Sequence, residues 1–239
     1  MRICVISDVH SNLPALESVL SSLAPFDALW HLGDVVGYGP QPNEVVARLA
    51  DAGAVGVRGN HDAAAVGELS TDAFNDDARS AVDWTAERLE ASSREWLAAQ
   101  PERLEIGGFT LAHGSPRDPT WEYVFSAGVA RGNLDAFTTP HCLVGHTHVP
   151  LAFRVVERRM EMLSPNGQPL SLDGLRSLLN PGSVGQPRDG DPRAAAMLID
   201  SAAMSVSWHR VEYDIRRVQR LMDAAGLPRR LSRRLQLGL

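Results

Sequence analysis

Apolar runs that stop at polar, ligand-bearing residues alternate with stretches of helical spacing through the first half of the chain. Residues 2–7 form one such run, ending at Asp8. Asn12-Leu13-Pro14 then opens a helix: Asn caps well, proline is tolerated in a first turn, and Leu13, Leu16, Val19, Leu20 and Leu23 recur on one face. The unit repeats, with residues 28–32 as strand, Gly33-Asp34 as loop and 43–52 as helix, after which 54–57 lead into Gly59-Asn60-His61-Asp62. Residues 72–100 read as mostly helical cover, acidic on one face, with Val82, Leu89, Trp96 and Leu97 for packing. Two short strands, 104–106 and 109–112, flank Gly107-Gly108 as a hairpin, and the second delivers His113. A further buried strand ends at Gly145, and the loop closed by Pro150 projects His146 and His148.

After His148 the pattern changes to strands separated by turns: 151–156, a middle segment containing Ser164-Pro165-Asn166-Gly167, 194–199 and 204–211. Alternating β and α units predict a layered α/β fold with its site at the C-terminal ends of strands. The sustained strand content of the later part predicts a second sheet packed on the first, not a simple doubly wound sheet. Residues 214–225 close the pattern as an amphipathic helix. No repeat or low-complexity linker interrupts it, so a single domain over 1–239 is expected, with 214–239 as an Arg-rich helical tail.

Composition adds three constraints. With 239 residues, 44% hydrophobic and 22% charged, the chain is long enough for a sizeable core. The net charge of −6 is uneven: residues 214–239 hold seven Arg against Asp214 and Asp223, about +5, leaving about −11 elsewhere. The basic tail is read as a solvated helix face, and the acidic remainder of the chain disfavours a nucleic-acid polymer as partner. Cys4 and Cys142 sit in apolar runs without CxxC partners, so they are read as buried hydrophobes and not as disulfide or metal ligands. With no signal-like or membrane-length apolar segment, the expectation is a cytoplasmic protein without a membrane partner.

Five strand-end loops carry the candidate chemistry: Asp8-Val9-His10, Gly33-Asp34, Gly59-Asn60-His61-Asp62, Ala112-His113 and Gly145-His146-Thr147-His148. Any one is weak evidence, since Asp also forms turns and His-x-His occurs by chance. Delivered together, they suggest one metal site. Asp, His and Asn without thiolates suit two divalent ions such as Mn, Fe, Zn or Ni, and Asp34 is the candidate bridging carboxylate. Two ions within roughly 3.5–4 Å clamp a phosphoryl group and acidify a shared water.

These motifs resemble the calcineurin-like metallophosphoesterases over roughly residues 1–215, closest to the small bacterial and archaeal phosphodiesterases because Asn180-Pro181-Gly182-Ser183-Val184-Gly185 also matches. The resemblance implies a four-layer αββα sandwich of two mixed sheets flanked by helices. It implies Asp8, His10 and His148 on one ion, Asn60, His113 and His146 on the other, Asp34 between them and His61 protonating the leaving group. The implied reaction is in-line attack of a metal-activated hydroxide on a small phosphate ester. In protein phosphatases the second motif continues with a further Asp and Arg, whereas this chain has Gly37 and Tyr38, which disfavours that activity. A non-catalytic scaffold of the same fold is the alternative, and His61 argues against it; a nuclease is the weakest reading. A homo-oligomer is left open.

Other positions have two readings. Tyr38 and Arg117 are candidate substrate contacts, Arg117 as a bidentate phosphate ligand; Trp121 and Tyr123 either stack on substrate or anchor their loop, and Arg188 shares that ambiguity. Asp62 is a partner of the site or a helix cap. His31, His141 and His209 are read as structural or exposed.

Overall fold

The structure is a computed structural model that describes residues 1–165 and 167–239; Asn166, within the segment read as a turn, lies outside the described residues. The chain opens with β1 (Arg2–Ile6), α1 (Leu13–Leu23), β2 (Ala28–His31), α2 (Pro42–Asp51), β3 (Val55–Gly56) and α3 (Asn60–Ala65). Covering helices α4 (Asp76–Arg88) and α5 (Ala91–Ala98) precede β4 (Arg103–Ile106), β5 (Phe109–Ala112), α6 (Ala127–Gly132) and β6 (His141–Leu143). Then come β7 (Pro150–Val156), β8 (Arg159–Leu163), β9 (Leu170–Ser171), β10 (Ser177–Pro181), β11 (Ala194–Asp200), β12 (Ser205–Val211), α7 (Ile215–Ala224) and α8 (Arg229–Leu235).

The strands form two mixed six-stranded sheets, ordered β3-β2-β1-β11-β12-β9 and β4-β5-β6-β10-β7-β8. Alternation along β1 shows how the layers follow from sequence. Ile3 and Val5 face the space between the sheets, with Trp30, Leu111, Leu143, Leu179 and Met197, while Cys4 and Ile6 face the helices. A third cluster, Ala130, Phe137, Cys142, Phe153 and Leu178, lies on the outer side of the second sheet beneath α6. The result is the expected sandwich of two sheets between helical layers.

Local signals hold where they were read. The Asn12 side chain accepts from Ala15 N at 3.2 Å and Asp214 from Arg217 N at 2.9 Å, so both helices start at capped ends. Gly107 (φ 57°) and Gly108 (φ 84°) make the β4–β5 turn in left-handed conformations that match hairpin twist. The partition of strands differs from expectation. The second sheet is not built from the later strands alone: β11 and β12 join the first sheet through an antiparallel β1–β11 pairing, and β4, β5 and β6 found the second. Period-2 patterning fixes which face of a strand is buried, not which strand lies beside it.

The tail is helical as read, and six of its seven arginines are exposed. It folds as two helices whose Val218, Met222, Leu227, Leu231 and Leu235 enter the core beside α1, and Trp84 of α4 donates to Ala225 O at 3.0 Å.

Candidate metal centre

Three parallel strands, β1, β2 and β3, end on one edge of the first sheet, and β5 and β6 end beside them in the second. Side chains after those ends therefore meet in one place. Backbone hydrogen bonds lace the loops together: Asp8 N to Gly33 O, His10 N to Asp34 O and Ser11 N to Val35 O, each 3.0 Å, and Gly145 N to His113 O at 2.8 Å. Asp8, His10, Ser11, Asp34, Tyr38, His146 and His148 all have φ between 49° and 64°. Left-handed backbone costs roughly 1–2 kcal/mol at each non-glycine residue, so only over-determined packing keeps seven of them at one site.

All eight residues singled out as ligands or acid are buried and come together. Asp8, His10, Asp34 and His148 form one group of facing ligand atoms, and Asp34, His113 and His146 form a second that shares Asp34. In the first, His10 Nε2 lies 3.2 Å from His148 Nε2, and Asp8 Oδ1 is 3.3 Å from His148 Nε2. In the second, His113 Nε2 lies 3.1 Å from both His146 Nδ1 and Asn60 Oδ1, and 3.3 Å from Asp34 Oδ2. Asp34 Oδ2 is also 3.7 Å from His10 Nε2, while its other oxygen accepts from His61 N at 2.9 Å.

These groups fit divalent ions on their own chemistry. The Nδ1 atoms of His10, His113 and His148 donate to the carbonyls of Val36, Leu32 and Gln186 at 3.0, 2.7 and 2.6 Å. A carbonyl only accepts, so in each neutral ring the proton is on Nδ1 and a lone pair points inward from Nε2. Two lone pairs facing each other at 3.2 Å repel unless a cation lies between them. Ligand atoms sharing an ion at roughly 2.0–2.2 Å lie roughly 3–3.5 Å apart, the spacing seen here. Asp8 Oδ1 and His146 Nε2 are buried without a hydrogen-bond partner. Charge is shared unevenly among these groups: burial pulls the His113 ring down, but Asp34 and Asp8 overcome this and raise it to about 9. Burial pushes the Asp34 carboxyl up, and the surrounding imidazoles hold it well below the usual carboxylate range.

His61 lines a narrow cavity of about 70 Å³ with Asp34, Asn60, Phe74, His146 and His148. Its ring packs against Tyr38 at 4.5 Å, His10 at 4.9 Å and Phe74 at 5.0 Å. Burial pulls its pKa down to about 4, with Asp34 opposing. Its Nδ1 is buried with no hydrogen-bond partner among the described residues, and Gly37 (φ 89°) stands next to it: a Cβ there would lie 2.5 Å from His61 Nδ1. Asp62 is both things its two readings offered. It accepts from Gly59 N at 3.0 Å at the start of α3 and from Val36 N at 2.9 Å in the Asp34 loop.

Tyr38 lines the cavity as expected. Arg117 does not: its guanidinium forks onto Glu122, with Nε 3.0 and 2.9 Å from the two carboxylate oxygens, and is exposed. A carboxylate five residues away captures it, and the cavity's cation is Arg188 instead. Trp121 lines the cavity and packs on Phe74 at 5.3 Å, while Tyr123 stacks on the His146 ring at 3.9 Å. His31, His141 and His209 stand apart: His31 packs on Trp96, His141 Nδ1 pairs with Ser177 Oγ at 2.8 Å and His209 with Ser207 Oγ at 2.8 Å.

Residue reasoning passed over the buttress. Asn180 Nδ2 donates to Gly145 O at 2.7 Å and Thr147 Oγ1 at 3.0 Å, and Ser183 Oγ donates to Asp8 O at 2.8 Å. With Gln186 O holding His148, the segment 180–186 grips two of the ligand loops, those begun at Asp8 and Gly145. Its only signal in the sequence was its likeness to a family motif.

A mixed-sheet sandwich with Asp and His ligands gathered at strand ends is the architecture of a metallophosphoesterase. The chain belongs to the calcineurin-like phosphoesterase superfamily, whose domain model matches residues 1–202. It is similar to an uncharacterized protein of Methanocaldococcus jannaschii, 35% identical over 244 residues that cover 99% of this chain and 98% of that one. It is 30% identical over 219 residues to phosphodiesterase YfcE of Escherichia coli K12, covering 86% of this chain and 91% of the relative. The crystal structure of a metallophosphoesterase from Sphaerobacter thermophilus superposes with a TM-score of 0.92 at 48% identity, covering 100% of this chain and 99% of that one.

Proposed function

We propose that the chain is a metal-dependent phosphodiesterase acting on a small phosphate ester. The observation that carries this reading is Asp34, whose carboxylate belongs to both groups of facing ligand atoms at the floor of a narrow cavity that His61 lines. Asp8, His10 and His148 would hold one divalent ion, Asn60, His113 and His146 the other, and Asp34 both. Ions bound there supply Lewis acidity toward a phosphoryl oxygen and lower the pKa of water.

The chain's own residues do the rest. Tyr38, Phe74 and Trp121 narrow the cavity and limit access of bulk water to it. Arg188 brings positive charge to the rim, where the non-bridging oxygens of a diester carry the negative charge. His61 stands beside the cavity, held by its neighbours' rings; in this reading the negative charge of a bound diester raises its pKa from about 4 and the ring gives a proton to the departing alkoxide. The relative named a phosphodiesterase supports this class of substrate, and Gly37 and Tyr38 in the second motif stand against a protein phosphatase.

The test uses the leaving group. His61→Ala is expected to retain its metals, to lose roughly 10²–10⁴ in rate on an alkyl or nucleoside diester, and to lose less on a p-nitrophenyl ester, whose phenolate departs without a proton. Equal losses on both, with metals retained, would assign His61 to phosphate positioning. A wild-type protein inactive on diesters with Mn, Fe, Ni, Zn and Mg would remove the reading.

A further inference from the structure

The narrow cavity over the metal centre opens into a larger one of about 540 Å³, and the two share Tyr38, Asn75, Tyr123 and Arg188. The larger cavity is completed by Asp76 and Asp77 of α4 and by Arg230 and Arg234 of α8. These last two come from the tail, beyond the residue 202 at which the family match stops. Leu231 and Leu235 are buried and pin α8 down, and Ser232 Oγ donates to Asp223 Oδ1 at 3.0 Å. Spacing of i and i+4 then places Arg230 and Arg234 on one face of a fixed helix, toward the metal centre.

Three guanidiniums thus line one space against two carboxylates, Asp76 and Asp77, which leaves an excess of positive charge. Arg188 donates to Gln186 Oε1 at 2.9 Å and to Tyr38 Oη at 3.4 Å, and its Nε is buried without a partner. Arg234 donates to the backbone oxygen of Leu239. Arg230 meets Asp77 at 3.8 Å in a loose pair, with the arginine side chain 87% exposed. Burial and the neighbouring charges of Arg188 and Arg230 hold the Arg234 pKa below its usual value. Like charges gathered at a cavity favour an anion there, and the planar arginine fork matches the oxygens of a phosphate.

We propose that this cavity binds a second phosphate of the substrate through Arg188, Arg230 and Arg234, so that the substrate class is a phosphate ester carrying another phosphate group. The proposal rests on the phosphodiesterase reading, which puts the reacting phosphorus at the metal centre. An anion entering the cavity would displace Asp77 from its loose pairing with Arg230.

The experiment compares binding of adenosine 3′,5′-bisphosphate and adenosine 5′-monophosphate by calorimetry at fixed salt. Wild-type protein is expected to prefer the bisphosphate by roughly tenfold or more, the worth of one or two charge-assisted hydrogen bonds. Arg234→Gln and Arg230→Gln are each expected to shrink that preference while shifting the monophosphate by less than roughly twofold, and Arg230→Lys to keep most of it. Arg230 is too exposed for its replacement to unfold the chain. Equal affinities in wild type, or equal losses on both ligands in the variants, would overturn the proposal. Turnover of bis(p-nitrophenyl) phosphate separates the two readings. Hydrolysis without the preference overturns the second-phosphate cavity alone, and the preference without hydrolysis supports the cavity while overturning the reaction.

Discussion

Asp34 shows how much a single residue is asked to do. One carboxylate oxygen accepts from His61 N and so fixes the start of α3, while the other faces both His10 and His113. If that second oxygen belongs to two ions, Asp34→Ala should disturb both sites, whereas His148→Ala should damage mainly one. Counting metal on purified protein checks this; an Asp34→Ala chain that still holds two ions contradicts the bridge. The candidate ligands themselves were legible because Asp, His and Asn after apolar runs are an unusual set. Arg117 was misread because its capture by Glu122 depends on the conformation of a loop, which no spacing rule supplies.

At the scale of elements, the tail joins the solvated arginine face read from its charge to an apolar face that charge alone does not show. Seven arginines in 26 residues suggest a solvated face, yet α7 and α8 fold back over the first sheet because every third or fourth residue is apolar. Leu231 is 1% exposed, so Leu231→Ala should cost about 3 kcal/mol through lost burial and a residual cavity. Denaturant unfolding reads it directly, and a midpoint unchanged from wild type would mean that α8 is a detachable appendage. The same docking carries Arg230 and Arg234 to the larger cavity beside the candidate metal site, so the stability of the tail and the charge of that cavity are coupled.

The whole molecule responds to pH through groups far from the chemistry. His31 lies on β2 against Trp96, and burial pulls its ring down to about 4, against a smaller opposing pull from the Gln100 side chain. The unfolded ring titrates near 6.5, so between those values the unfolded chain binds more protons. The contribution is therefore complete above about pH 6.5 and falls by about 3 kcal/mol as pH drops toward 4. Unfolding free energies from pH 7 to 4 should fall less steeply in His31→Gln than in wild type; identical slopes would mean that His31 does not charge on unfolding. No helix among the described residues is long and apolar enough to cross a membrane.

By itself the sequence determined what is local: capped starts at Asn12 and Asp214, the Gly107-Gly108 turn, the alternation that makes each strand two-faced, and the ligand residues that follow the strands. Those properties depend on a few neighbouring residues and on steric rules that hold in any fold. Tertiary structure decided what depends on distant chain. It paired β1 with β11 across nearly two hundred residues, used segment 180–186 to clamp loops begun at Asp8 and Gly145, and brought Arg188, Arg230 and Arg234 to one cavity. Such contacts follow from how apolar faces of several elements are buried together, and many strand orders satisfy the same alternation. The choice among them is made by the packed whole.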